Sequence, residues 1–238
     1  MRVVVTGASS GIGRELSRLF CLEKKASVVG VGRDTGALGE LRRELGECFY
    51  PVVADLSTLS GVETVVNEAS KFLGGVDVLV NNAGLGFYKK ITEHSTEELV
   101  SEVMVNFVAP LVLTGRLLPL MRPGSIVVFV ITAGVYVLME SLPVYGAAKA
   151  GLHYAVKALR RELRSRGIHV LAVYPGVVKT RFHERAGVRI ERGEDPSKVA
   201  HKILRAIDRK QTTLHIPRYL ALTKILACIQ PPVKTAPK

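Results

Sequence analysis

Tyr145 and Lys149 stand four residues apart, in a stretch of helical propensity that follows Pro143. On a helix that spacing puts both side chains on one face. A phenol with its usual pKa near 10 is a poor base at neutral pH, but a neighbouring ammonium favours the phenolate and lowers that pKa. Such a pair can take a proton from an alcohol or return one to a carbonyl oxygen. A second cluster lies near the N-terminus, where residues 6–13 read Thr-Gly-Ala-Ser-Ser-Gly-Ile-Gly, between a β-branched run and a helical stretch. Gly7, Gly11 and Gly13 permit a tight turn and close approach of backbone to a pyrophosphate. The helix that starts near Gly11 aims its free N–H groups at that anion. A dinucleotide site is expected here, with contacts from Gly7, Ser9, Ser10, Gly11, Ile12 and Gly13.

The glycine spacing is G-x-x-x-G-x-G, and further motifs follow it in order: Asn81-Asn82-Ala83-Gly84, Asn106, Tyr145-Gly146-Ala147-Ala148-Lys149, and Pro175-Gly176-Val177-Val178-Lys179-Thr180. With these the chain resembles the short-chain dehydrogenase/reductase family over about residues 1–216. The resemblance implies a nicotinamide-dependent oxidoreductase acting on an alcohol or carbonyl compound. It assigns general acid/base catalysis to Tyr145 and the nicotinamide ribose hydroxyls to Lys149. Cofactor contacts are implied at Asn82, Ala83, Gly84, Pro175, Gly176, Val178 and Thr180. Asp55, followed by Leu56, takes the place of the family aspartate that holds the adenine amino group, or else it begins the next helix. The family implies a homodimer or homotetramer formed through the helices bearing Asn106 and Tyr145, and Val156 and Leu159 are apolar candidates for that contact.

Three positions need separate argument. A carboxylate at the tip of the second strand would hold a ribose 2′-hydroxyl and repel a 2′-phosphate. Here the tip is Gly32, followed by Arg33, whose guanidinium can clamp a phosphate with two hydrogen bonds. NADP(H) is therefore favoured over NAD(H), with Asp34 either turning to the ribose or starting a helix. The family serine of the catalytic set is absent. Counting thirteen back from Tyr145 reaches Thr132, whose hydroxyl can donate as serine does, and Ser141 is the weaker substitute. Asn106 precedes Pro110 by four residues. Proline has no N–H, so the helix should kink and the Asn106 carbonyl lose its usual partner. That carbonyl could then hold a water that links Lys149 to solvent, as the resemblance implies, or the bend could serve core packing alone.

These residues require a frame. Apolar runs at 3–5, 28–31, 51–54, 76–80, 126–131 and 169–173 are mostly rich in Val and Ile and continuous rather than alternating, as strands buried on both faces require. Helical stretches alternate with them at about 11–24, 36–46, 59–73, 95–121, 144–166 and 196–209, the third opening on Ser57 or Thr58 as cap. A seventh strand is expected to end at Ile216-Pro217. The pattern predicts one α/β domain over residues 1–238, doubly wound and Rossmann-like, with a mainly parallel seven-stranded sheet and helices on both faces. Residues 217–238 form an apolar and basic extension, read as a lid, an oligomer contact, an interfacial anchor or a segment packed on the core. Candidate substrate walls are Leu85, Phe87 and Tyr88, then Tyr136 to Leu142, then Arg181 to Arg185.

The 238 residues carry 33 Lys plus Arg against 21 Asp plus Glu, a net charge of +12, with 47% hydrophobic residues. This balance excludes a disordered chain and a small disulfide scaffold. No run of 18 consecutive apolar residues occurs, so no membrane-spanning helix is expected, and no secretory signal is read at the N-terminus. Cys21, Cys48 and Cys228 have no metal spacing and are read as three reduced thiols of a cytoplasmic protein. No metal site is expected. The basic excess suits an acyl thioester among possible substrates or peripheral membrane contact by the tail, and nucleic-acid binding has the charge alone behind it.

Overall fold

The computed structural model describes residues 1–185, 188, 192–228 and 232–233. In chain order the elements are β1 (Arg2–Thr6), α1 (Gly11–Leu22), β2 (Ser27–Gly32), α2 (Thr35–Leu45), β3 (Phe49–Val53), α3 (Leu59–Leu73), β4 (Val78–Asn81), α4 (Thr96–Val103), α5 (Ala109–Leu117), β5 (Ile126–Val130), β6 (Leu138–Met139), α6 (Pro143–Arg164), β7 (His169–Pro175), α7 (Arg181–Arg185), α8 (Pro196–Asp208), β8 (Thr213–Ile216) and β9 (Pro232–Val233). Seven strands form one parallel sheet in the order β3-β2-β1-β4-β5-β7-β8, and β6 pairs with β9 separately.

Side chains that alternate along a strand point to opposite faces, and here each face has its own core. Val4, Leu79, Val127 and Phe129 pack on one side with Val65 of α3, Leu113 of α5 and Leu152 of α6. Val3, Val5, Val80 and Val128 pack on the other with Leu16 of α1, Leu41 of α2 and Ile203 of α8. This double burial is the reason the strands read as unbroken apolar runs. The order reverses direction between β1 and β4, which opens a crevice beyond the carboxyl ends of the strands.

The expected bend at Pro110 takes a definite form. Residues 104–108 wind as a π-helical turn between α4 and α5, and the Ala109 N–H bonds to Met104 O instead of a carbonyl four residues back. The helical run Thr96–Leu120 is long and apolar enough, by length and composition, to cross a membrane, although polar residues interrupt it. In this fold its residues Val105, Ala109, Leu113 and Leu117 are buried in the core against the sheet. Val156, expected at an oligomer contact, also lies in the core at 1% exposure, and Leu159 packs partly against it. Tyr154, Val100 and Val103 are the exposed apolar residues of these helices.

The thiols need a correction as well. Cys21, near the end of α1, and Cys48, in the turn before β3, are paired as a disulfide with Cα atoms 5.8 Å apart. A separation of 27 residues concealed the pair. Adjacent placement of α1 and α2 on one face of the sheet creates it. In the tail, residues 218–228 wind as a 3-10 helix. Leu220 packs on the core, while Tyr219, Leu222 and Ile225 are exposed. The rest of the predicted extension, apart from β9, lies outside the described residues, as does the side chain of Cys228.

Candidate active site

The glycine turn joins β1 to α1 as expected. Gly7 and Gly11 adopt φ of +71° and +56°, the region that favours glycine. A Cβ on Gly13 would stand 2.2 Å from the Gly7 carbonyl oxygen, so Gly13 lets the helix close onto the turn. Ser10 occupies the cap position of α1 but makes no side-chain hydrogen bond to it, and the first turn holds no acidic residue. The positive end of α1 is thus left for an outside anion. The Asn82 loop is fastened across this turn: Thr6 Oγ1 accepts from the Asn82 and Ala83 N–H groups at 2.9 and 3.0 Å, and Asn82 Nδ2 donates to Thr6 O at 2.9 Å. Thr6 was not expected in this role. Its partners lie more than seventy residues away, so no local pattern marks it.

A cleft of about 270 Å³ runs along this turn. It gathers Gly7, Ser9, Ser10, Gly11, Ile12 and Arg33 from the first two βα units, and Asn82, Ala83 and Gly84 from the loop after β4. From the far side come Thr132, Tyr145 and Lys149, then Pro175, Gly176, Val178 and Thr180. An adjoining pocket takes in Asp55 and Leu56 together with Gly32 and Arg33. Two expected site residues, Gly13 and Asn106, line neither the cleft nor the adjoining pocket. Gly13 serves packing, and Asn106 is fully buried behind the loop. There Asn106 Nδ2 donates to Leu85 O at 2.5 Å and to Glu102 O at 2.8 Å, while its Oδ1 accepts from the Leu85 N–H at 3.3 Å. Its side chain clamps the loop and does not face the cleft.

The two acidic candidates are engaged locally. Asp34 caps α2 by accepting from the Ala37 N–H at 2.9 Å, and it pairs with Arg181 at 3.4 Å across the cleft. Asp55 accepts from the Ser57 N–H at 2.9 Å and shapes the turn before α3, which Thr58 caps. The shape and chemistry of the cleft suit a dinucleotide: an uncapped helix end beside glycine backbone, a cation in Arg33, and an adjoining pocket.

The Tyr145–Lys149 pair lies where the i, i+4 spacing placed it. Lys149 is 3% exposed, donates to Val130 O at 3.0 Å, and sits 5.7 Å from the centre of the Tyr145 ring. Burial pulls the Lys149 pKa down to about 7. Burial also raises the Tyr145 phenol above its usual value, with further contributions from Tyr88 and Glu102. The expected lowering of the phenol by the ammonium is therefore not built into the protein alone, because the same desolvation that brings the pair together opposes both charges. Thr132 Oγ1 accepts from the Gly134 N–H at 3.1 Å and faces Pro175 O at 3.5 Å, so it caps the turn at 133–136 while lining the cleft. Ser141 does not line the cleft.

At the substrate end, Leu85, Tyr88, Met139, Leu142, Phe182 and His183 form the wall. Phe87 and Tyr136 do not. The Phe87 ring meets His94 edge-on, and Tyr136 is buried with His215, Tyr174 and His153. The Phe182 ring lies 5.2 Å from that of Tyr145. Tyr88 Oη and His183 Nδ1 are 2.7 Å apart and tie the two walls together. Burial raises the Tyr88 phenol and lowers the His183 pKa, so both favour neutral forms.

Comparison with known proteins agrees with this construction. An uncharacterized oxidoreductase of Staphylococcus epidermidis is 32% identical over 184 residues, covering 76% of this chain and 79% of the relative. A 3-ketoacyl-(acyl-carrier-protein) reductase from Brucella melitensis, solved with NADH, has a TM-score of 0.79 at 27% identity, over 90% of this chain and 94% of its own. A short-chain dehydrogenase from Sphingobium yanoikuyae, solved with NADPH, superposes with a TM-score of 0.82 at 24% identity, over 92% of this chain and 88% of its own, and speaks for the fold. The family model for short chain dehydrogenases matches residues 1–189, and on these grounds the chain belongs to the short-chain dehydrogenase family of oxidoreductases.

Proposed function

We propose that this protein is an NADP(H)-dependent oxidoreductase that interconverts an alcohol and a carbonyl compound, with Tyr145 as its general acid/base. The observation that carries the reading is the shared cleft. The Tyr145 ring and the buried Lys149 ammonium line the same cavity as the uncapped turn of α1. A bound nicotinamide supplies the hydride. Tyr145 gives or takes the proton at the substrate oxygen, Lys149 holds the ribose hydroxyls and favours the phenolate, and Thr132 directs its hydroxyl to the substrate. Asn106 acts through its hold on Leu85. Arg33 favours the 2′-phosphate, because Gly32 offers no carboxylate and Asp34 is drawn to the α2 cap and Arg181.

The substrate end carries no charged side chain among its described walls, so an uncharged, largely apolar carbonyl compound suits it. An acyl thioester belongs to the same reading through its apolar chain, in keeping with the name of the Brucella relative. Residues 1–238 act as one unit, as a homodimer or homotetramer built on Val100, Val103 and Tyr154, with the exposed tail residues available for peripheral contact. A second reading, an NADP(H)-binding regulatory protein, draws on Thr132, whose hydroxyl is already engaged by Gly134.

The test is oxidation of NADPH, followed by absorbance, against ketones, aldehydes and 3-oxo thioesters. Turnover that falls by about 10²- to 10⁴-fold in Tyr145→Phe, with NADPH affinity kept, supports the enzyme. Saturable NADPH binding with no turnover on any compound favours the regulatory reading.

A further inference from the structure

Beyond Asn82 and Ala83 the loop after β4 continues into the substrate end through Gly84 and Gly86. Gly86 is buried although it has no side chain of its own. A ring from the opposite wall fills the space. A Cβ on Gly86 would stand 2.8 Å from Phe182 Cζ and 3.3 Å from Leu142 Cδ2, and a Cβ on Gly84 would stand 3.7 Å from Phe182 Cε2. Gly86 is not among the glycines of positive φ, so it supplies room and not an unusual turn. Phe182, the second residue of α7, therefore rests on bare backbone of the facing loop.

The rest of its surroundings are rings. Phe182 lies 5.2 Å from Tyr145 at a tilt of 52°, and 5.2 Å from His183 edge-on, both within the range where aromatic rings attract. A polar contact joins the same two segments. Tyr88 Oη and His183 Nδ1 stand 2.7 Å apart, from positions 95 residues apart in the chain. The loop at 84–88 and α7 thus meet twice, once through Gly86 and Phe182 and once through Tyr88 and His183. A ring with backbone on one side, Tyr145 on another and a closed clasp behind it has little freedom to swing away.

This placement bears on what can reach Tyr145. A carbonyl compound has two substituents, and the one directed toward α7 must pass the Phe182 ring. The other faces the wall formed by Leu85, Met139 and Leu142. We propose that Phe182, seated on Gly84 and Gly86 and clasped by the Tyr88–His183 contact, is a specificity-determining residue that admits carbonyl compounds with one small substituent, such as aldehydes and methyl ketones. Of the 3-oxo thioesters, only those with a short acyl end fit this limit. The inference rests on the oxidoreductase reading for the carbonyl compound as substrate, and the seat and the clasp do not depend on it.

The test uses acetophenone and butyrophenone, which share a phenyl group and differ in a methyl against a propyl substituent. Their kcat/KM values come from NADPH oxidation. Their affinities for the complex with oxidised cofactor, which cannot reduce them, come from calorimetric titration. The parent is expected to favour acetophenone by about tenfold or more in both measurements. Phe182→Ala should bring the two ketones within about threefold, chiefly through KM. Gly86→Ala, which removes no side chain and pushes the ring from its seat, should do the same, and Tyr88→Phe should move part of the way. In protein labelled at its phenylalanine rings, the Phe182 NMR signal should carry a ring-current shift from Tyr145 and His183 that is lost in Gly86→Ala and reduced in Tyr88→Phe. A parent that reduces or binds both ketones alike, or binds neither, overturns the proposal. So does a preference, or a Phe182 shift, that stays at the parental value in Gly86→Ala. A Phe182 shift unchanged in Tyr88→Phe overturns the clasp. A parent that binds with the expected preference and reduces neither ketone counts against the oxidoreductase reading and leaves the specificity standing. Should Phe182→Ala fail to fold, Gly86→Ala and Phe182→Leu decide the point by the same binding ratio.

Discussion

Helices α1 and α6 both begin at the cleft, and their first turns are treated in opposite ways. At α1 the cap residue Ser10 leaves the N–H groups unsatisfied, the first turn has no acid, and glycine backbone surrounds the opening. At α6 the cap residue is also silent, but the first turn begins with Pro143, and α4 packs against the helix. The same backbone dipole serves two ends. One turn is left uncapped by any side chain and lines the cleft, as the proposed dinucleotide site requires. The other has one N–H fewer to satisfy, because proline has none. The open turn is local in sequence, and the packing of the other depends on a helix some forty positions away.

The comparison can be tested at several points. The largest effect is expected at Lys149, buried along α6. Its pKa in the fold is depressed to about 7, so between about pH 7 and its usual value the unfolded chain binds a proton that the folded chain does not. Stability of the cofactor-free protein should therefore rise with pH from about 7 toward 10, by about 1.4 kcal/mol per unit, and be lost again as the pH falls to 7. Denaturant unfolding across that range should show the rise in the parent and a flat response in Lys149→Met. An equal slope in both would place the proton elsewhere.

Next, Ser10→Asp gives the open turn an anion of its own. Dinucleotide affinity should fall about a hundredfold through like-charge repulsion, while the thermal midpoint of the cofactor-free protein holds or rises through the new cap. Undiminished affinity in a titration of NADPH fluorescence would mean that the pyrophosphate does not use this turn. On the far side of the cleft, Asn106→Ala frees Leu85 and the Glu102 carbonyl, at a cost of about 1–3 kcal/mol in denaturant unfolding. Little change there would show that the loop is held by Thr6 and Asn82 alone. The smallest effect is expected at Arg33→Asp, at the edge of the open side. The preference for NADP(H) over NAD(H) should shift by about tenfold. Equal affinities for the two cofactors, before and after, would remove Arg33 from the argument.

Much of the frame was legible from residue order. Val3 to Val5, Val28 to Val31 and Ile126 to Val130 became central strands because no polar residue interrupts their burial on both faces. Thr58 caps α3 as its position before an apolar helix predicts. The glycine turn and the Tyr145–Lys149 pair were equally visible, since each depends on neighbours within eight residues. What escaped was long-range. Cys21 and Cys48 meet only because α1 and α2 share one face of the sheet. Phe87 meets His94 instead of walling the cleft as expected, and Val156 lies in the core where an oligomer contact was expected. Thr6, which fastens the Asn82 loop, carries no local signature.

The amino-acid order alone carried the α/β pattern, the glycine turn after the first strand and the placement of Tyr145 and Lys149 on one helix face, because periodicity and short spacings act through the chain's own geometry. The fold decided what those residues can do. Burial depresses the Lys149 ammonium and raises the Tyr145 phenol, and Asn106, from the turn between α4 and α5, clamps the loop at Leu85. Desolvation and contact between distant segments are properties of the packed protein, and no stretch of sequence holds them by itself.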